Sequence, residues 1–166
     1  MNPFIPEGPL VAATSGAPLG ALFPVLFFAL FVGMWVLTCT LLPWVAGHKA
    51  LLERYPPVDE PVEKSFHFAS GRMRWGVDFR NALYVGIGTA GVHLAPNGLF
   101  RPPFMRGIPC IPWSELHCVR PQADGLLGWY GGSRFEVPAL DLRFSLRGEP
   151  GRVIERKLAS LPERSR

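Results

Sequence analysis

From Gly8 to Gly47 the chain carries no charged side chain, and all 17 of its Lys and Arg residues lie at or beyond Lys49. Within this stretch residues 24–45 read PVLFFALFVGMWVLTCTLLPWV. As a helix, residues 25–42 alone would be about 27 Å long, close to the hydrocarbon thickness of a bilayer. Each Val, Leu or Phe there favours insertion by roughly 0.3–0.6 kcal/mol. Pro24 suits a first helical turn, and Pro43 and Trp44 sit where the chain should meet the headgroups. A core helix with no polar face does not suit so small a protein. A cleaved signal peptide would bring a basic start and a shorter apolar core. The expectation is one transmembrane helix with a juxtamembrane extension over residues 21–55, after a short extracytoplasmic segment over 1–20.

Charge sets the expected orientation. The first twenty residues hold Glu7 and no Lys or Arg, whereas Lys49 and Arg54 follow the span closely. The positive-inside rule then puts the C-terminal part in the cytoplasm and the N-terminus outside, as for a single-pass protein of a bacterial inner membrane. Trp44, Lys49 and Arg54 are the expected interface anchors. Ala29 and Gly33 form a small-xxx-small pair, the pattern that lets two membrane helices approach, so a homodimer is a minor expectation.

Beyond the span, Ala50, Leu51, Leu52, Glu53 and Arg54 favour helix, so the membrane helix is expected to run on for about two turns through residues 47–55, until Pro56 and Pro57 end it. Residues 56–64, with three prolines and three acids before Lys64, read as a stiff, acidic linker. From Ser65 the pattern becomes short alternating runs. Phe66 and Phe68 share a face. So do Leu83, Val85 and Ile87, then Val92 and Leu94 with His93 outward, and Leu140, Leu142, Phe144 and Leu146 in the clearest run. Asn97-Gly98 is a turn signal, and IERKLASL near the end is a short amphipathic helix. The expected fold class is membrane-anchored and mainly β. It comprises an antiparallel sandwich or open barrel over residues 65–161, closed by a C-terminal helix, and a tail over 162–166.

The stretch LYVGIGTAGVHLAPNGLFRPPFMRGIPCIPWSEL resembles the core of pleckstrin-homology-like (PH-like) and GRAM-like domains. In these a strand, a T-x-x-G turn, a second strand, a basic loop and an I-P-W-x-E step follow in order. The whole chain also resembles a group of small bacterial membrane proteins with one N-terminal span and a G-x-x-x-L-x-x-x-Y-P element. That element is met here by Gly47, Leu51, Tyr55 and Pro56. The resemblance implies a PH-like cytoplasmic domain; its motifs are structural and bring no catalytic residues with them.

Enzyme signatures are missing. There is no GxxxxGK[ST], HExxH or GxSxG. Gly86, Gly88 and Gly91 match G-x-G-x-x-G by number, but a strand follows where a dinucleotide site needs a helix. No cofactor is implied and no metal-site spacing is seen. His93, His117, Cys110 and Cys118 are soft ligands taken singly; they read as surface histidines and a small buried thiol. Cys110 and Cys118 could pair, though nothing in their spacing demands it. Glu115, with Ser114, reads as a turn residue bonding nearby N–H groups. The basic residues are interspersed with 13 acids, without the stripe of a nucleic-acid binder. The lipid bilayer is the first expected partner, and a protein at the inner membrane the second. The contact loop would be residues 100–107, through Phe100, Arg101, Phe104, Met105 and Arg106. The expected function is a non-catalytic, membrane-tethered interaction module, an accessory or assembly subunit; the alternative is a module docking on anionic headgroups.

Overall fold

The structure, a computed structural model, describes residues 18–101, 106–123 and 131–161. It forms two compact units, Met1–Trp35 and Val36–Arg166. The described part of the first is the start of helix α1 (Pro18–Val45). Leu22–Val45 has a mean hydropathy of 2.4, and none of its apolar window is buried. It is long and apolar enough to cross a membrane. The core helix of a soluble protein would hide side chains such as Phe23, Leu26 and Leu30, which here are exposed. Pro24 lies beyond the first turn, because the helix already begins at Pro18.

In the second unit α1 ends at Val45, and helix α2 (His48–Arg54) follows a break at Ala46 and Gly47. The sequence predicts unbroken helix here. Gly47 breaks it with φ at +87°, a conformation that favours glycine, and a Cβ on it would meet Leu142 at 3.4 Å. Ala46, Leu51 and Tyr55 are buried in the domain core. Helix α2 is thus part of the domain rather than a free extension of the span.

Seven strands follow: β1 (Val62–Arg72), β2 (Asp78–Gly88), β3 (Gly91–Pro96), β4 (Cys110–Pro112), β5 (His117–Arg120), β6 (Ser133–Val137) and β7 (Leu142–Leu146). They make one antiparallel open sheet in the order β4-β3-β2-β1-β7-β6-β5. Helix α3 (Glu149–Ser160) contacts β5, β6 and β7 and buries Ile154 and Leu158. The core joins Leu83, Val85 and Ile87 of β2 to Phe135 and Val137 of β6 and to Leu142, Phe144 and Leu146 of β7.

The expected inward residues of β2 (Leu83, Val85, Ile87) and β7 are buried, and the alternation fails in three places. Phe66 is half-buried but Phe68 is 67% exposed, because a register shift between Phe66 and Ala69 turns the strand over. Leu140 sits in a 3₁₀ turn before β7 begins at Leu142. All of β3 is buried, His93 included. It lies between β2 and β4, with a segment of the chain N-terminal to β1 covering its polar residue.

Candidate functional site

Two arrangements carry polar chemistry, one on the surface and one buried. The first surrounds the end of α1. Strands β1 and β2 are joined by a tight turn in which Trp75 (φ +60°) and Gly76 (φ +77°) are both left-handed. Three residues, Arg74–Gly76, close the turn between the bonded Met73 and Val77, and left-handed backbone suits Asn, Asp or Gly rather than a bulky side chain. A tryptophan there costs about 1–2 kcal/mol. The indole does not recover this by packing inside the domain, since Trp75 is 80% exposed. The Arg74 guanidinium lies 5.8 Å from its ring centroid. Trp75, Arg74, Trp44, Val45, Gly47 and Lys49 line one shallow depression, so the turn adjoins the point where the apolar helix ends.

A wider groove of about 730 Å³ continues from Arg74 and Trp75. Arg72, Arg134, Arg143 and Arg147 line it together with Glu136 and Asp141. Arg143 is paired with Glu136 at 3.2 Å and Arg147 with Asp78 at 3.1 Å. Among the described residues Arg72, Arg74 and Arg134 have no ion-pair partner. Their positive charge is therefore available to a ligand.

The residues singled out from sequence fall in different places. Ala29 and Gly33 lie on the exposed helix of the first unit, and nothing stands within 4 Å of a Cβ built on Gly33. Trp44 and Lys49 are exposed, with Lys49 3.6 Å from Glu53. Arg54 lies 3.9 Å from Glu115. Among the described residues Glu115 accepts no backbone N–H, the role expected of it or of Ser114. It accepts the Tyr55 hydroxyl, because α2 brings that ring against the 3₁₀ turn Trp113–Glu115. In the predicted contact loop Phe100 packs against the core, Arg101 points inward with a bond to the Pro96 carbonyl, and Arg106 is exposed. Phe104 and Met105 lie outside the described residues. His117 and Cys118 are exposed on β5. Cys110 and Cys118 are both free thiols.

The second arrangement corrects the reading of His93 as a surface residue. Glu60, from the segment expected to be a plain linker, reaches over the β2–β3 turn. Its Oε2 accepts the Thr89 hydroxyl at 2.7 Å and the Ala90 N–H at 2.8 Å. Its Oε1 lies 2.9 Å from His93 Nε2 and accepts the Cys110 thiol at 3.6 Å. His93 and Cys110 face each other in the β3–β4 register. The Glu60 and His93 side chains are 8% and 6% exposed, and Cys110 is 4% exposed. Gly88 makes room, since a Cβ there would collide with the Glu60 carboxylate. Burial pushes the Glu60 carboxyl upward, but the bonds from Thr89, Ala90, His93 and Cys110 outweigh it and hold it down at about 2. Burial, with the neighbouring Glu60 charge and hydrogen bond, pushes the Cys110 thiol up to about 11. A nucleophilic cysteine needs its base beside the sulfur and the carboxylate behind the base. Here the carboxylate stands in the middle and opposes thiolate formation, so the trio is not built for nucleophilic catalysis.

Sequence reasoning found His93 and Cys110 but missed Glu60, Trp75 and Arg134. The β2–β3 hairpin was readable and would have placed His93 near the turn. That Glu60 folds back over this turn is a tertiary fact. No known protein family, curated protein or solved structure matches the chain.

Proposed function

We propose that this chain is a membrane-anchored, non-catalytic binding module with a PH-like domain, which lays the Trp75 turn and its neighbouring arginines on anionic lipid headgroups. The PH-like assignment rests on the strand order, a four-strand meander joined through β1 and β7 to a three-strand meander, with a C-terminal helix beside it. The anchor is Leu22–Val45. The observation that carries the reading is Trp75, a strained and exposed aromatic next to the helix end. Tryptophan favours the depth of the headgroups, and each nearby arginine adds about 1 kcal/mol on an anionic surface. Strain kept at an exposed residue without internal recompense is a mark of function. The proposed sidedness, with the domain on the cytoplasmic face, rests on the positive-inside rule applied to Lys49 and Arg54.

The test uses full-length protein in nanodiscs with neutral or anionic lipid. Backbone hydrogen exchange over residues 72–77 is expected to slow in anionic discs and recover in high salt. Equal exchange in both discs rejects headgroup docking. Release of the intact protein from membranes by alkaline carbonate rejects the anchor itself.

A second reading keeps the binding but changes the partner. Among the described residues strand β5 is a sheet edge paired with β6 alone, and all four of its residues are exposed. A partner strand at the inner membrane could add there. Recovery of a stoichiometric partner with the full-length protein from native membranes, lost on Val119→Pro, is the result that favours it.

A further inference from the structure

We infer that Glu60, His93 and Cys110 form a binding site for a zinc-class divalent cation. Each offers one ligand atom, and the three atoms lie within 4.8 Å of one another. An imidazole, a thiolate and a carboxylate suit zinc, and three protein ligands leave one tetrahedral position for water. The separations fit. With metal–ligand distances of about 2.0–2.3 Å, tetrahedral geometry puts an oxygen about 3.6 Å from a sulfur and about 3.4 Å from a nitrogen. Glu60 Oε1 already stands 3.6 Å from Cys110 Sγ. It stands 2.9 Å from His93 Nε2, so opening that pair by about half an ångström admits the ion.

Charge and support point the same way. The buried Glu60 has no Lys or Arg partner among the described residues, and its 3.6 Å contact with Cys110 is only a weak thiol bond. A divalent cation that displaces the Cys110 proton to solvent balances one carboxylate and one thiolate, leaving a neutral buried cluster with a neutral imidazole. Thr89 and Ala90 grip Oε2 and leave Oε1 turned toward the other two ligands, as the outer shell of a metal site does. His93 and Cys110 face each other on adjacent strands with their ligand atoms within 4.8 Å, so side-chain adjustment, without a change of register, brings them to the ion. This inference stands apart from the membrane reading.

The experiment titrates cobalt(II), as a spectroscopic stand-in for zinc, into metal-free full-length protein in detergent. One equivalent should give tetrahedral d–d absorption and a thiolate-to-cobalt charge-transfer band, both displaced by zinc. Cys110→Ser should remove the charge-transfer band, whereas Cys39→Ser and Cys118→Ser keep it. Thr89→Val should weaken binding about ten- to a hundredfold. Should Cys110→Ser fail to fold, zinc protection of the Cys110 thiol against alkylation in the wild-type protein replaces it. No band with the wild-type protein, or a band that survives Cys110→Ser, overturns the site; so does alkylation of Cys110 at the same rate with and without zinc.

Discussion

Trp75 sets stability against binding. Replacing it with Asn, which tolerates left-handed backbone, relieves the middle position of the β1–β2 turn. Trp75→Asn should raise unfolding stability by about 1 kcal/mol, as read by denaturant midpoint. It should also weaken the salt-sensitive protection on anionic nanodiscs. Loss of stability in this variant would mean that the indole packs usefully within the domain.

Two buried groups set the acid limit. His48 is buried and held down at about 4 by burial and by the Arg101 charge. Its folded value lies below its unfolded one, so the stability it confers is complete above about pH 6.5 and drains away as pH falls toward 4. Glu60 is likewise depressed, to about 2, so its share is complete above about pH 4.5 and is lost on descending toward 2. Thermal melting of the full-length protein should therefore decline in two stages. His48→Phe should remove the upper stage and Glu60→Gln the lower. A single stage untouched by both substitutions contradicts this.

At the scale of elements, the motif before the domain and the motif in its middle meet in space. Gly47, Leu51 and Tyr55 belong to one; Ile111, Trp113 and Glu115 to the other. The Tyr55 hydroxyl bonds Glu115, and the Trp113 indole N–H donates to the Gly88 carbonyl at 3.2 Å. Tyr55→Phe should cost about 1–2 kcal/mol, since a partly buried carboxylate loses a charge-assisted bond. A double-mutant cycle with Glu115→Gln should show coupling of similar size, and additivity would refute the contact. Gly47→Val should cost more than Tyr55→Phe, because it combines a forbidding φ with the approach of Leu142.

Strand alternation was legible where both ends of a strand are fixed by neighbours, as in the run Leu142, Phe144 and Leu146. It misled at Phe68, where a register shift turns the face over, and at His93, whose strand is covered on both sides. The apolar helix was plain from its lack of charge, but its break at Gly47 was not, since Ala50–Arg54 beyond it favour helix and a lone glycine is tolerated within one. The surface site was half visible. Arginines on the strands could be counted, yet only the fold shows which keep no carboxylate partner. Glu60 looked like one acid among three in a proline-rich spacer, and nothing local marks it as the one that turns inward.

On the scale of the molecule, α2 and the following strap fix the domain to the end of α1. Tyr55 is bonded near β4, and Glu60 at the β2–β3 turn. A domain held this way presents a constant end, with Arg74 and Trp75 beside Gly47. Replacing Arg72, Arg74 and Arg134 with Ala should remove on the order of 3 kcal/mol of attraction to an anionic surface. Hydrogen exchange in anionic discs should then match that in neutral ones.

The strap also decides how tension would travel. A pull on α1 reaches β1 only after passing the Glu60 carboxylate, which is held by Thr89, Ala90 and His93 of the β2–β3 hairpin and by Cys110 of β4. Load is handed sideways to β2, β3 and β4 before the first strand can be peeled from its neighbours.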